Sequence, residues 1–206
     1  MDHNNNEIML SVTTLPRILG ALFYYPPTSE ESQQLIPALA DLDRLFDWQD
    51  KATVKHQAKT LSSIRPEDIG YDFSVLFEGQ GHMTAPPWGA VYLQQDHLLM
   101  GKSTQHYRDF LAQCGIGVAT RMEEPDDQFG LMLLAFACLL EKGADDAAQT
   151  LLSDHLLPWA FRYLELLQEA KTEHAFYPTL ARVAAEYLAS LKTVYRLQVK
   201  PATLYF

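Results

Sequence analysis

The stretch FGLMLLAFACLL, Phe129–Leu140, is the longest apolar run in the chain. It is too short to span a bilayer, so it reads as a helix buried in protein. Directly before it stands MEEPDDQF, Met122–Phe129, with Glu123, Glu124, Asp126 and Asp127. Carboxylates at a helix opening accept from free backbone amides and complement the helix dipole, at about 0.3–1 kcal/mol each. The spacing predicts a helix from near Asp126 to Gly143, and four acids are more than capping requires.

Outward from this helix the sequence is helical almost throughout. Leu15, Ile18, Leu19, Leu22 and Phe23 recur at i, i+3, i+4, i+7 and i+8, with Thr13 or Thr14 as cap and Pro16 in the first turn. Pro26-Pro27 ends that helix, and Thr28 with Glu31 makes a capping box for a second one carrying Leu35, Ile36 and Leu39. Asp50–Ser63 is weakly amphipathic. A helix opening at Pro66 places Ile69, Phe73, Leu76 and Phe77 on one face and stops at Gly79. Further helices are expected from Ser103 or Thr104 to Cys114, over Asp145–His155 and Pro158–Ala170, and from Phe176 to about Tyr195. The last of these buries Leu180, Val183, Ala184, Tyr187, Leu188 and Leu191.

The exception is APPWGAVYL, Ala85–Leu93. Pro86 and Pro87 lack an amide donor and bias their predecessors to extended geometry. An irregular loop is expected over about 79–101, with a short hairpin at Tyr92–Gly101, and an extended tail over about 199–206. The fold class is therefore all-α, one multi-helix domain over 1–206 with a long irregular central loop.

Composition narrows the function. The 206 residues carry a formal net charge of −10, and no two Lys or Arg are adjacent, which argues against nucleic acid. The N-terminus has no secretory signal, and no segment would span a membrane. Cys114 and Cys138 imply neither a disulfide framework nor a CxxC motif, which suits a reducing cytoplasm. The seven histidines form no HExxH, no pair at helical spacing and no Cys/His cluster, so no metal is expected. No P-loop, GxSxG or strand-borne GxGxxG is present, and GQG at Gly79–Gly81 opens no helix. HLLPW, His155–Trp159, reads as a packing corner, with Arg162 one turn on and able to pair with a carboxylate.

Seven blocks resemble one family in order and approximate spacing: RILGALFYYPP (Arg17–Pro27), LFEG (Leu76–Gly79), PPWGAVYL (Pro86–Leu93), LLMGKST (Leu98–Thr104), EPDDQFGLMLL (Glu124–Leu134), HLLPWAFRYL (His155–Leu164) and FYPTLARVA (Phe176–Ala184). They are similar to the TorD/DmsD group, cytoplasmic chaperones that mature molybdoenzymes for twin-arginine export, and closest to its DmsD branch. The resemblance implies an all-helical chaperone fold and no catalysis. It also implies binding of the twin-arginine leader of a reductase precursor, such as the dimethyl sulfoxide reductase catalytic subunit, until its molybdopterin is loaded. Members of that branch also contact the translocase. Leader-binding positions of the family map onto Leu76, Phe77, Pro87, Trp88, Gly101 and Asp127. Pro86, Gly89, Tyr92, Glu124, Pro125, Asp126 and Gln128 complete the candidate site, with Phe73, His155, Trp159 and Arg162 as supports. The chain departs from the family in Gln128, where the pattern has histidine, and in Phe73 and Tyr92, where tryptophan is common. No cofactor is required; guanine nucleotides have been discussed for the family, but no motif here supports one.

On this reading Phe73, Leu76, Phe77, Trp88 and Tyr92 line a proline-stiffened groove for the apolar part of a leader, and Asp126 and Asp127 receive its arginines. Burying three or four leucine-sized side chains gives roughly 5–10 kcal/mol gross, against about 0–1 kcal/mol for an exposed ion pair. Two readings from other classes remain at this level: a small helical enzyme using Glu124, Asp126 and Asp127, and a structural subunit whose loop plugs an interface.

Overall fold

The computed structural model describes residues 2–80, 82–117 and 124–206, with side chains from residue 13 onward. The side chain of His3, and Gly81 and Glu123 altogether, lie outside what is described. Among the described residues there is no strand, and one isolated antiparallel bridge pairs Trp88 with Gln128. The fold is all-α, as expected.

Helix α1 spans Asp2–Tyr24 and passes through Pro16. This corrects the expected start at Thr13 or Thr14. An interior proline removes its own backbone bond to the preceding turn. The helix keeps its register because Leu15, Ile18, Leu19, Leu22 and Phe23 are all buried. Pro26 and Pro27 follow its end. The next helix, α2 (Glu30–Leu35), is capped by Ser29, whose Oγ accepts from the Ser32 amide, so the cap lies one residue beyond the expected Thr28. Pro37 then tightens the chain into a 3-10 segment, Ile36–Arg44. Helix α3 (Lys51–Ser62) is capped by Asp50 and buries Val54, Ala58 and Leu61.

Pro66 opens a 3-10 turn, Pro66–Ile69, leading into α4 (Gly70–Phe77), which ends before Gly79 at φ +71°. Buried Asp72 of α4 accepts from the backbone amides of Glu173 and His174 at 2.8 and 3.0 Å, fixing this helix to the opening of the last one. The central loop contains one short helix, α5 (Gly89–Leu93). No hairpin forms over Tyr92–Gly101. The α5 turn continues through Tyr92, and His97 and Met100 take positive φ, which breaks the ladder geometry a hairpin needs.

Helix α6 (Lys102–Gln113) precedes α7 (Phe129–Glu141), the apolar helix. Its start is later than expected: Asp126 and Asp127 lie outside it, and Gln128 is its cap. Helix α1 packs along α7 at a glycine crossing, where a Cβ on Gly130 would meet the Gly20 carbonyl oxygen at 2.5 Å. The C-terminal part comprises α8 (Asp145–Thr150), a π-turn (Leu151–Leu156), α9 (Leu157–Glu169) and α10 (Phe176–Val194). Every predicted stripe residue of α10 is buried. Residues 197–206 are without regular structure.

Candidate functional site

The bridge organises the centre of the molecule. Gly89 N donates to the Asp127 carbonyl at 3.0 Å, and Phe129 N donates to the Pro87 carbonyl at 2.8 Å. The irregular 86–89 segment is thereby sewn to the acidic segment that opens α7. Pro86, Pro87 and Pro125 are buried, so the prolines stiffen a wall of the core rather than a free loop. Successive side chains on such paired segments point to opposite faces, and each face of this bridge carries a cavity.

On one face lies a cavity of about 280 Å³ lined by Tyr24, Tyr25, Pro26, Glu31, Phe73, Phe77, Glu78, Glu124 and Gln128. Its rings hold one another: Phe73 lies tilted 5.0 Å from Phe77, which packs edge-on against Tyr177 at 5.0 Å and Phe23 at 6.2 Å. Phe77 is buried in this wall, whereas Leu76 is buried in the core and does not line the cavity. Trp88 is half-buried, and its indole Nε1 donates to Glu124 Oε1 at 2.5 Å. Burial pushes the Glu124 carboxyl upward in pKa, partly opposed by the indole donor. Glu78, at the end of α4, is exposed and accepts from Ser74 Oγ at 2.6 Å. The cavity thus combines aromatic walls with carboxylates, a surface suited to a side chain with an apolar stem and a cationic head.

The other face holds Asp127. It is 3% exposed, and its Oδ2 accepts from the Ala90 amide at 2.7 Å and from Thr104 Oγ1 at 3.1 Å. Its Oδ1 is buried without a partner among the described residues. Burial raises its pKa, with the Ala90 and Thr104 donors opposing. Gly89 must be glycine: a Cβ there would sit 2.9 Å from Trp159 Nε1. The cavity on this side, about 180 Å³, is lined by Gly89, Ser103, Tyr107, Asp127, His155 and Trp159, among others. Residues Lys200, Pro201 and Ala202 of the tail also line it.

The remaining candidates separate cleanly. Asp126 is already ion-paired with Arg108 of α6, so it is not an open acceptor. Gln128 spends both ends of its amide on the fold: Nε2 donates to the Phe23 carbonyl at 2.8 Å, and Oε1 accepts from the Leu131 amide at 2.9 Å. Glutamine in place of the family histidine thus joins α1 to α7. Tyr92 is buried and stacks on Trp159 at 5.3 Å. It lines neither cavity. Trp159 donates to the His155 carbonyl at 3.0 Å, making HLLPW the packing corner its sequence suggested, and burial holds the His155 pKa below its usual value. Arg162 pairs with Glu165. Gly101 lies in a wider cleft with Leu98, Leu99 and Met100. Tyr24, Tyr25, Glu78, Arg108, Thr104 and Tyr107 were absent from the sequence-derived site; only the adjacent aromatics Tyr24-Tyr25 carried any local signal.

Among the described residues no His, Cys, Asp and Glu cluster could hold a metal, and no helix is long and apolar enough to cross a membrane.

This helical arrangement is shared with a solved structure: one described as a redox enzyme maturation protein, from Archaeoglobus fulgidus, superposes with a TM-score of 0.62 at 17% identity, covering 86% of this chain and 94% of that one. A family model described as nitrate reductase delta subunit matches residues 32–165, and the chain belongs to that family, the TorD family. It is 34% identical over 188 residues to the Tat proofreading chaperone DmsD of Salmonella typhi, covering 90% of this chain and 92% of the relative. It is 25% identical over 189 residues to the chaperone protein YcdY of Escherichia coli K12, covering 89% and 95%. The curated relatives are named as chaperones, and this chain is a chaperone of their family rather than an enzyme.

Proposed function

We propose that the chain binds the twin-arginine leader of a molybdoenzyme precursor in the cytoplasm and holds it until the cofactor is loaded, before the precursor passes to the twin-arginine translocase. The dimethyl sulfoxide reductase catalytic subunit or a paralogue is the client, and no cofactor is needed for the binding itself. One observation carries this reading: the aromatic cavity of about 280 Å³ with Glu78 and Glu124 among its lining residues, beside the half-buried Trp88.

A leader arginine lays its methylene stem on Tyr24, Tyr25 and Phe77 and turns its guanidinium to Glu124 and Glu78. Glu124 takes the role first given to Asp126, because Arg108 already occupies Asp126. Apolar leader residues continue along the wall next to Trp88. Their burial contributes roughly 5–10 kcal/mol gross, less several kcal/mol for ordering the peptide. The ion pairs add about 1 kcal/mol each where solvent reaches them. Apolar contact sets affinity, and the carboxylates set specificity.

Calorimetric titration of leader peptides tests this. Truncating the apolar stretch is expected to cost far more affinity than Arg→Lys, and Trp88→Ala is expected to weaken binding while the helical circular-dichroism signal persists. Affinity that survives the truncation but not Arg→Lys would reverse the ranking. Loss of helicity in Trp88→Ala would make Trp88 a core plug.

A further inference from the structure

Residues 200–206, KPATLYF, are exposed throughout, yet they are held along a defined path. Lys200 N donates to the Ser153 carbonyl of the π-turn at 2.9 Å, and Tyr205 N donates to the Tyr92 carbonyl of α5 at 2.9 Å. Arg162 Nε of α9 donates to the Phe206 carbonyl at 3.3 Å. The Phe206 ring stands edge-on to Tyr92 at 5.5 Å and to His97 at 6.0 Å. These are the contacts of an extended peptide laid on a receptor: backbone bonds to carbonyls at two separated points, with an aromatic side chain seated just past the second.

What lies beneath this segment is unsatisfied. Lys200, Pro201 and Ala202 cover the cavity that holds Asp127, Tyr107 and Ser103. Asp127 Oδ1, the Tyr107 hydroxyl and Ser103 Oγ are buried there without partners among the described residues, and Asp127 and Tyr107 are 3% and 2% exposed. Buried polar atoms of this kind call for a donor or acceptor that the tail does not supply. Next to it, Tyr205 lines the cleft with Leu98, Leu99 and Met100, which are 62%, 45% and 50% exposed.

We propose that this face of α5, the π-turn and α9 is a docking track for an extended peptide, filled in the free protein by residues 200–206 and taken over by the client by exchange. The incoming segment is extended, apolar at the Leu98–Met100 cleft, and carries one hydrogen-bond-donating side chain that enters the cavity and meets Asp127. The inference rests on the leader-binding reading and extends it, because Gly89 and Asp127 belong both to the bridge and to this cavity. It makes the chaperone self-occluding: the tail covers the track until a client with a better side chain for Asp127 displaces it.

The test replaces residues 200–206 by a glycine-serine segment of equal length. If two backbone hydrogen bonds and the two ring contacts of Phe206 keep the track mostly filled, emptying it tightens leader binding by roughly tenfold. Phe206→Ala gives a smaller gain in the same direction. The free peptide KPATLYF binds the replaced variant and competes with the leader. If leader binds the unaltered chain but the replaced variant binds it no better, the exchange is overturned. If KPATLYF fails to bind the replaced variant, the track itself is overturned, whatever the leader does. If KPATLYF binds but no leader binds either form, the client reading fails and the exchange with it.

Discussion

Glu124 and Asp127 stand three residues apart on one short segment, yet the two faces of the bridge give them different work. Glu124 is half-buried, takes one hydrogen bond from an indole, and borders an open aromatic cavity. Asp127 is buried, spends one oxygen on the Ala90 amide and Thr104, and turns the other toward a covered cavity. Burial divides them. A carboxylate whose removal strands buried donors belongs first to the fold and keeps only its second oxygen for a ligand, whereas one with a single partner beside an open cavity is available to a ligand directly.

The largest effect expected from this contrast is on stability. Asp127→Ala removes the acceptor of a buried amide and a buried hydroxyl, each costing about 1–3 kcal/mol, offset in part because a buried carboxylate is no longer desolvated. A net loss of about 2–3 kcal/mol lowers Tm by roughly 5–10 °C. Thermal denaturation checks it, and an unchanged Tm would erase the distinction between the two acids.

Glu124→Gln is the converse. Glutamine keeps an oxygen for the Trp88 indole, so stability changes by no more than about 0.5 kcal/mol. Leader affinity falls about tenfold, or about 1.4 kcal/mol, because the guanidinium loses its half-buried counter-charge. Calorimetry on the folded variant measures it. A variant that binds normally would move recognition to Glu78 or to the other face.

The sequence disclosed the helices because apolar periodicity is a local property, and it disclosed the proline-rich break for the same reason. It misplaced what depends on distant partners. Pro16 reads as a helix opener until the buried stripe around it holds the helix through it. Asp126 and Asp127 look equivalent until Arg108 of α6 pairs with the first and Thr104 bonds the second. Tyr24 and Glu78 end different helices, and only the turn of each chain segment brings them to one cavity. Gln128 reads as a departure from the family until its amide is seen spanning Phe23 and Leu131. Family resemblance pointed to the segments that the bridge joins; the sorting of their residues between two cavities and the core required burial and hydrogen bonding.

The smallest expected effect is on protons, and it is the most selective. Burial raises the Glu124 pKa above its ordinary 4.5. Between that ordinary value and the raised one, the folded chain binds more protons than the unfolded chain, so this group's contribution to stability declines as pH rises through the raised pKa. A guanidinium beside Glu124 favours the ionised form and draws the pKa back down. Leader binding therefore releases a fraction of a proton in the weakly acidic range above 4.5, and affinity climbs with pH across it. Titrations in buffers of different ionisation enthalpy read that fraction directly, and Glu124→Gln is expected to diminish the buffer dependence by the share that Glu124 contributes. Asp127 is raised as well, by its deeper burial. Buffer dependence undiminished in Glu124→Gln would assign the whole released proton to Asp127 and move the arginine contact to the covered face.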